Sequence, residues 1–228
     1  MPVPEDEAAH LTRVLRLKAG DAVRVFDGRG REWNAVISEI GKGRAAVRVG
    51  DAVEPARESS VAIELAMAIL KSDKMDDVVR DAVMLGVTRI IPMMTARTEI
   101  TARAVARSGR IARWQRIAVS SAKQCGRALV PQVGEASEMR EVVQRPSAST
   151  RLMLVEPASN AKSQRLRDVP QAKHVTLVVG PEGGWDPEEI QAAAGAGIIL
   201  ATLGEQTLRA DAVPLVALTA VRVLWGDL

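Results

Sequence analysis

Hydrophobic and polar positions follow two different patterns along the chain, and the change comes near residue 60. Within residues 22–49, apolar residues alternate in part with polar ones, and the turn sequences DGRG and GKG separate three such stretches. Such stretches are typical of an antiparallel β-meander. From residue 61 onward, apolar runs alternate with segments of helical periodicity, which is typical of a largely parallel α/β sheet. The pattern therefore predicts a small β domain, a polar linker over residues 51–60 and a larger α/β domain.

Within the α/β part, wholly apolar runs predict strands and apolar residues at helical spacing predict helices. Strands are predicted at residues 61–70, 89–94, 151–156, 175–180 and 197–202. One helix, with Met75, Val78, Val79, Ala82 and Leu85 on its buried face, is expected to end at Gly86. A second helix, over residues 109–126, is expected to bury Ile111, Trp114, Ala118, Ala122 and Cys125 and to expose Arg110, Arg113 and Arg116.

The last predicted helix, over residues 210–225, carries valine, leucine and alanine on nearly every side. Asp211 is expected to be its N-cap, which places Pro214 in the first turn, where a missing N–H is tolerated. A helix that is apolar all round is buried on more than one side. Either it is enclosed within one chain or it forms a subunit interface, and we favour the interface.

Composition sets further limits on function. The chain has 228 residues, of which 47% are hydrophobic and 26% charged, as in an ordinary soluble protein. Its apolar runs are shorter than the roughly 18 residues that a membrane span needs, and its acidic start does not resemble a secretory signal. Cys125 is the single cysteine and the two histidines are far apart, which argues against a disulfide, a metal site and a Ser-His-Asp triad. We therefore expect a cytoplasmic protein without a metal.

Charge is concentrated in one part of the chain. The net charge is only +3, yet residues 97–130 carry eight basic side chains against the single acid Glu99. A local basic block on a nearly neutral chain favours a polyanionic partner such as nucleic acid. A solvated helix face is the alternative interpretation.

The stretch VTLVVGPEGGWDPEE, residues 175–189, carries the clearest chemical signal. An apolar run stops at Gly180, and the sequence from Asp186 to Glu189 has the features of a helix start, with Pro187 at the first helical position. A glycine loop before a helix lets a ligand approach the backbone closely. An ordinary tight turn between strand and helix would look similar, but Glu156 and residues 203–209 also follow predicted strands. Because ligands of parallel sheets bind beyond the carboxyl ends of the strands, these three loops predict one site.

The glycine loop excludes some ligands and favours others. GPEGG lacks the Lys-Ser/Thr pair of a phosphate-binding Walker loop and is not the dinucleotide fingerprint G-x-G-x-x-G. The carboxylate of Glu182 disfavours a phosphate and tolerates a cationic group. S-adenosylmethionine, which has a purine, an amino-acid moiety and a positive charge, suits these features.

Several motifs together resemble the bacterial 16S rRNA uridine-N3 methyltransferases of the SPOUT superfamily. They are HLTRVLRLKAGD, FDGRG, KSDKMDDVVRDAVMLGV, RWQRIAVSSAKQCGR, VPQV, LVVGPEGGWDPEEI and LGEQTLRADAVPLVALTAVRVLWGDL, and they cover almost the whole chain in order. The resemblance implies an RNA-binding PUA-like β-barrel at residues 1–58 and a SPOUT methyltransferase domain at residues 59–228. It also implies a deep trefoil knot within about residues 151–228 and a homodimer that methylates N3 of one uridine in the 16S rRNA of the small ribosomal subunit, with S-adenosylmethionine as cofactor.

Site residues follow from the same resemblance. The expected cofactor-binding residues are Gly180, Pro181, Glu182, Gly183, Gly184, Leu203, Gly204, Leu208 and Arg209. Arg209 is also the expected catalytic residue, since a guanidinium could stabilise the uridine as N3 loses its proton, although a purely structural arginine is the alternative. The expected rRNA contacts are Arg13, Arg16, Lys71, Lys74, Arg97 and Arg127.

The second loop departs from the family pattern. Glu205 and Gln206 stand where the family has Pro-Arg, and residues 210–212 read Ala-Asp-Ala where the family has Thr-Glu-Thr. These changes remove a positive charge beside the expected pocket. They leave open a second hypothesis, a non-catalytic or retargeted RNA-binding or ribosome-assembly protein on the same fold.

Overall fold

The computed structural model describes residues 1–41, 43–159 and 161–225. They form two compact units. The first unit comprises residues 1–57 together with residues 126–129, and the second comprises residues 58–125 and the described residues from 130 onward.

The first unit is a three-stranded antiparallel sheet with one helix. Its elements are α1 (Glu5–Arg13), β1 (Ala22–Phe26), β2 (Glu32–Gly41) and β3 (Arg44–Val53), and the strand order is β1-β2-β3. The sheet buries Ala35, Ile37 and Val47 on one side. The predicted meander is confirmed, and β3 continues into the segment that was expected to be linker. Helix α1 was not predicted, because it has few apolar residues and only Ala8 is buried.

Residues 126–129 belong to the first unit although they lie far along the sequence. The Gly30 amide donates to the Ala128 carbonyl oxygen at 3.0 Å, and Leu129 forms β-bridges with Gly28 and Arg29. The sequence-based boundary at residue 58 assigned these residues to the second domain. Local patterns could not reveal this pairing, because the two segments are about 100 residues apart.

The second unit is built on a parallel sheet, as predicted. Its strands are β4 (Ala62–Ala68), β5 (Val87–Met94), β6 (Gln132–Val133), β7 (Ser137–Glu138), β8 (Thr150–Leu154), β9 (Gln164–Arg165), β10 (His174–Val179) and β11 (Ile199–Thr202). Its helices are α2 (Lys74–Met84), α3 (Ala102–Arg107), α4 (Arg110–Cys125), α5 (Met139–Gln144), α6 (Pro187–Gly195) and α7 (Val213–Leu224). The strand order is β6-β5-β4-β10-β8-β11-β9, with β7 also paired to β5. The trefoil knot that the resemblance implies stays a prediction.

Alternate strand residues supply two hydrophobic cores, one on each face of this sheet. On one face Leu65 and Leu177 pack among residues of α2, α4 and α7. On the other face Ala66 and Val178 pack among residues of α5 and α6. Burial on both faces explains why the central strands read as continuous apolar runs. Of the inward positions predicted on α4, Trp114, Ala118 and Ala122 are buried.

Three side chains at the ends of α4 differ from the prediction. Cys125 was expected to be buried, and it is only half-buried because it stands at the last residue of the helix. Arg110 was expected to be exposed and Ile111 to be buried, and both are half-buried. Arg113 and Arg116 are exposed, as predicted.

Two helix starts that the sequence singled out have different outcomes. At α6 the Asp186 side chain accepts from the Glu188 amide and the Glu189 side chain accepts from the Asp186 amide, both at 3.0 Å, so the predicted capping is confirmed. At α7 the predicted cap is wrong, because Ala212 occupies the N-cap position and makes no side-chain cap. Asp211 instead binds Arg209. Pro214 lies in the first turn of α7, as expected.

Candidate cofactor site

A cavity of about 330 Å³ lies beyond the carboxyl ends of β8, β10 and β11. The three loops that follow these strands line it, as the strand-end argument predicted. Their lining residues are Glu156 and Pro157, Gly180 to Glu182 with Gly184 and Trp185, and Leu203 with residues 206–211. Lys74 of α2 adds a side chain from a fourth segment. The parallel order of the strands is therefore what brings these distant segments together.

Most of the predicted cofactor residues line this cavity. They are Gly180, Pro181, Glu182, Gly184, Leu203, Leu208 and Arg209. Gly183 and Gly204 are not among the lining residues. The Gly183 carbonyl oxygen instead accepts a hydrogen bond of 2.7 Å from Arg97 Nη1, so this glycine connects the loop to the segment after β5.

Two glycines of the first loop are required by close contacts. A Cβ on Gly180 would lie 2.9 Å from the indole of Trp185, whose Nε1 donates to the Leu154 carbonyl oxygen at 2.8 Å. A Cβ on Gly184 would lie 2.6 Å from Oε1 of Glu156, and Gly184 also has a φ of +70°. The loop therefore passes close to its neighbours and keeps its backbone along the cavity wall.

An ion pair holds the first loop to α2. Lys74 Nζ donates to Glu182 Oε1 at 3.0 Å, and the Lys71 amide reaches the same oxygen at 3.3 Å. Partial burial raises the pKa of the Glu182 carboxyl, but the hydrogen bonds from Lys74 and from backbone amides outweigh it, so the net pKa lies below its ordinary value. The Glu182 carboxylate is therefore charged at neutral pH and engaged by the protein itself.

The second loop contains its own ion pair. Arg209 Nε lies 3.1 Å from Asp211 Oδ1, and Arg209 Nη2 lies 2.9 Å from Asp211 Oδ2. Such a two-bond pair fixes the plane of the guanidinium. The Arg209 side chain is still 75% exposed, so a ligand in the cavity can reach it.

The six residues predicted to contact rRNA fall into three environments. Arg13 and Arg16 are exposed in the first unit. Lys71 pairs with Glu99, Lys74 with Glu182, and Arg97 lies 3.9 Å from Asp186 as well as bonding Gly183. Arg127 is only 8% exposed. Three of the six thus lie beside the glycine loop, which Lys74 and Arg97 bind through their side chains and Lys71 through its backbone amide.

Some lining residues were missed at the level of sequence. Trp185 and Thr207 line the cavity without having been assigned to the cofactor, Gln206 was named only as a departure from the family pattern, and Lys74 was expected only as an RNA contact. Glu156 was placed at the right edge of the sheet but was given no role. Its signal was its position directly after a strand, which is the usual place for a ligand-binding side chain in a parallel sheet.

Two further features of the described residues concern metal binding and membrane spans. No group of three or more histidine, cysteine, aspartate or glutamate side chains there is arranged to bind a metal ion. Within the same residues, every helix is too short or too polar to cross a membrane.

The chain is similar in sequence to known RNA methyltransferases. Residues 57–222 match the RNA methyltransferase domain family, and residues 3–50 match the RNA methyltransferase PUA domain. Ribosomal RNA small subunit methyltransferase E from Synechocystis sp. is 30% identical over 94% of this chain and 70% of its own length. The chain belongs to the ribosomal RNA small subunit methyltransferase E family. The resemblance found in the sequence is thereby confirmed.

Two solved structures of similar proteins match all or nearly all of this chain. Ribosomal RNA small subunit methyltransferase E from Neisseria gonorrhoeae, bound to S-adenosyl methionine, is 34% identical with a TM-score of 0.90 and covers 100% of this chain and 92% of that one. A Legionella pneumophila protein in complex with the cofactor SAM is 30% identical with a TM-score of 0.89. The match covers 98% of this chain and 91% of that one. The family's fold therefore extends over both units of this chain.

Proposed function

We propose that this protein methylates N3 of a specific uridine in the 16S rRNA of the small ribosomal subunit and uses S-adenosylmethionine as methyl donor. The observation that carries the proposal is the cavity formed by the loops GPEGG and LGEQTLR. It lies in a chain that matches a cofactor-bound family member over its full length. As an enzyme of bacterial ribosomal RNA, the protein would act in the cytoplasm.

The cavity fits such a cofactor in size and in chemistry. Its volume of about 330 Å³ lies within the range usual for small-molecule sites. Gly180 and Gly184 offer backbone without side chains, and Leu203 and Leu208 offer apolar contact for a purine. We assign cofactor binding to these residues with Pro181, Glu182 and Arg209, whereas Gly183 and Gly204 shape the loops. When bound, the cofactor supplies an electrophilic methyl group.

Arg209 is the residue we assign to catalysis. Uridine N3 carries a proton, which must pass to solvent water when N3 is methylated, and its loss leaves negative charge on the base. A guanidinium stays protonated and cannot remove that proton, but it can stabilise the charge that develops. The pair with Asp211 orients the guanidinium, and its exposure leaves it accessible to a base. The rest of the rate enhancement would come from positioning N3 against the methyl group.

The RNA must present an unpaired or extruded uridine, because a paired base cannot enter a cavity. We assign phosphate contacts to Arg13, Arg16, Lys71, Lys74 and Arg97, and we leave out Arg127, which is only 8% exposed. Aromatic residues make up only 2% of the chain, so backbone and shape contacts would dominate over base stacking.

A homodimer is part of the proposal. Four apolar side chains of α7 are exposed in the single chain: Leu215, Val216, Val223 and Leu224, at 39–53% exposure. Pro214, Ala217, Leu218 and Val221 of the same helix are buried. A second copy of the chain on the exposed face would bury both sides of the helix, as its composition predicts.

The test is direct. Purified protein is incubated with small ribosomal subunits and S-adenosylmethionine, and the rRNA nucleosides are analysed by mass spectrometry. The same analysis is made on rRNA from a strain that lacks the gene. We expect 3-methyluridine to form with the protein and to be missing from the deletion strain. An unchanged 3-methyluridine level in the deletion strain would refute the function.

The second candidate, a non-catalytic RNA-binding or ribosome-assembly protein, is favoured by the altered second loop. Gln206 lines the cavity where the family has arginine, and Glu205 points to Arg165 at 3.3 Å. Calorimetry separates the two candidates. Tight binding of S-adenosylmethionine together with turnover supports the enzyme, whereas rRNA binding without cofactor binding supports the alternative.

A further inference from the structure

Five ionisable side chains line the cavity: Lys74, Glu156, Glu182, Arg209 and Asp211. Four of them are neutralised in pairs, Lys74 with Glu182 and Arg209 with Asp211. Glu156 is left over, since its carboxylate makes no ion pair with any residue that the structure describes. The cavity therefore carries one net negative charge, and Glu156 holds it.

The fold makes room for this carboxylate. Glu156 follows β8, which lies between β10 and β11 in the sheet, so its side chain stands between the two cofactor loops. Its Oε1 and Oε2 lie 2.6 and 3.2 Å from the place where a Cβ of residue 184 would stand. Only a glycine at position 184 leaves that space, and its φ of +70° suits the same residue.

A lone carboxylate in a cavity of small-molecule size favours a cationic ligand group. The surrounding ion pairs contribute little net field, so the attraction of Glu156 is not cancelled by a neighbouring cation. The charge of Glu182 adds little to this attraction, because Lys74 neutralises it and the Lys71 amide donates to the same Oε1. The unpaired Glu156 carboxylate and Gly184, which leaves room for it, therefore act together in the site.

We propose that the Glu156 carboxylate binds the sulfonium of S-adenosylmethionine and makes the site select this cofactor over its demethylated product. The inference rests on the proposed function. The sulfonium carries a positive charge, whereas the sulfur of S-adenosylhomocysteine is neutral. Both molecules share the adenosine and the amino-acid group. Glu156 would therefore hold the substrate form of the cofactor and release the product form more readily.

The experiment measures the dissociation constants of both ligands by calorimetry on the full-length protein. Glu156→Gln removes the charge and keeps the size of the side chain. Glu188→Gln, on the exposed side of α6 and outside the cavity lining, removes the same charge elsewhere. We expect Glu156→Gln to weaken the binding of S-adenosylmethionine by about three- to fivefold, the size usual for an exposed ion pair, and to leave the binding of S-adenosylhomocysteine almost unchanged. Glu188→Gln should leave the ratio of the two constants unchanged.

Glu156→Asp keeps the charge and withdraws it by one methylene, so it should retain part of the preference. Raised salt should reduce the preference of the wild type for S-adenosylmethionine, because it screens the charge. If Glu156→Gln weakened the binding of both ligands equally, so that the ratio of their dissociation constants did not change, the inference would be overturned even if the wild type methylates rRNA. A wild type that binds neither ligand would overturn the proposed function and this inference with it.

Discussion

The ammonium nitrogen of Lys74 lies 3.0 Å from Oε1 of Glu182, so an ion pair joins α2 to the glycine loop. Both residues line the cavity, and they are separated by 108 residues in sequence. The same glutamate that disfavours phosphate in the loop is thus also a structural anchor. Its protonation should loosen the loop.

This ion pair predicts a pH-dependent stability. The pKa of Glu182 is lowered in the folded protein, so its contribution is present above the unfolded-state pKa and is lost as the pH falls through the folded one. At neutral pH, Glu182→Gln should reduce the free energy of unfolding by about 0.5–1 kcal/mol. In urea titrations the difference from wild type should shrink below about pH 4, where carboxyls protonate. If wild type and Glu182→Gln differed in free energy of unfolding by the same amount at neutral pH and below about pH 4, the ion pair would not be the source of the difference.

Arg209 should govern turnover rather than assembly. We expect Arg209→Ala to lower kcat by about 100- to 1000-fold, because one charge-stabilising donor is lost, and to leave the oligomeric state unchanged. Asp211→Asn should lower kcat by a smaller factor, since it removes only the partner that orients the guanidinium. Arg165→Ala, which removes an exposed arginine paired with Glu205, is the matched control. Wild-type turnover in Arg209→Ala would refute the catalytic role.

Alanine substitutions at Gly184 and Gly197 distinguish the cost of backbone strain from the cost of steric contact. Their φ angles are +70° and +73°, but a Cβ on Gly197 would meet nothing within 4 Å, whereas one on Gly184 would meet Glu156. Gly197→Ala should cost about 1–2 kcal/mol of stability from φ alone. Gly184→Ala should cost about 1–3 kcal/mol more and weaken cofactor binding, as measured by urea denaturation and calorimetry. Equal costs at the two positions would show that Glu156 can move aside freely.

The exposed face of α7 predicts the oligomeric state. Val223 is 53% exposed on this face, and we expect Val223→Asp to convert a dimer to a monomer in light-scattering measurements after gel filtration. An aspartate there would be buried without a partner. Val14→Asp, at a position that is 64% exposed in the first unit, should leave the mass unchanged. A wild type that runs as a monomer would rule out the interface.

Arg13 and Arg16 should contribute to RNA affinity through phosphate contacts. If both contact phosphates, the double substitution to alanine should lower the slope of log affinity against log salt by about 2. Arg80→Ala, which removes an exposed arginine paired with Asp77, is the control. The measurement is filter binding to a 16S rRNA fragment over a salt series. An unchanged slope would remove these two residues from the RNA surface.

Sequence patterns by themselves determined the parallel sheet, the β-meander and the capped start of α6. In the case of α6, Asp186, Pro187 and Glu189 interact within three residues of one another, so the local sequence is sufficient. The glycine loop and its position beyond a strand end were equally readable, because an apolar run followed by Gly180 leaves few alternatives.

Only the tertiary structure decided which charges meet. Asp211 binds Arg209 instead of capping α7, since a two-bond pair with a guanidinium competes with one bond to a helix amide. Lys74 pairs with Glu182, and the Glu156 carboxylate lies beside Gly184, where no side chain blocks it. Both contacts arise because the order of β4, β10, β8 and β11 places the loops after these strands at one edge of the sheet. The strand order depends on contacts summed over the whole second unit. Short-range patterns do not encode it, so the pairing of the cavity's charges could not be predicted from them.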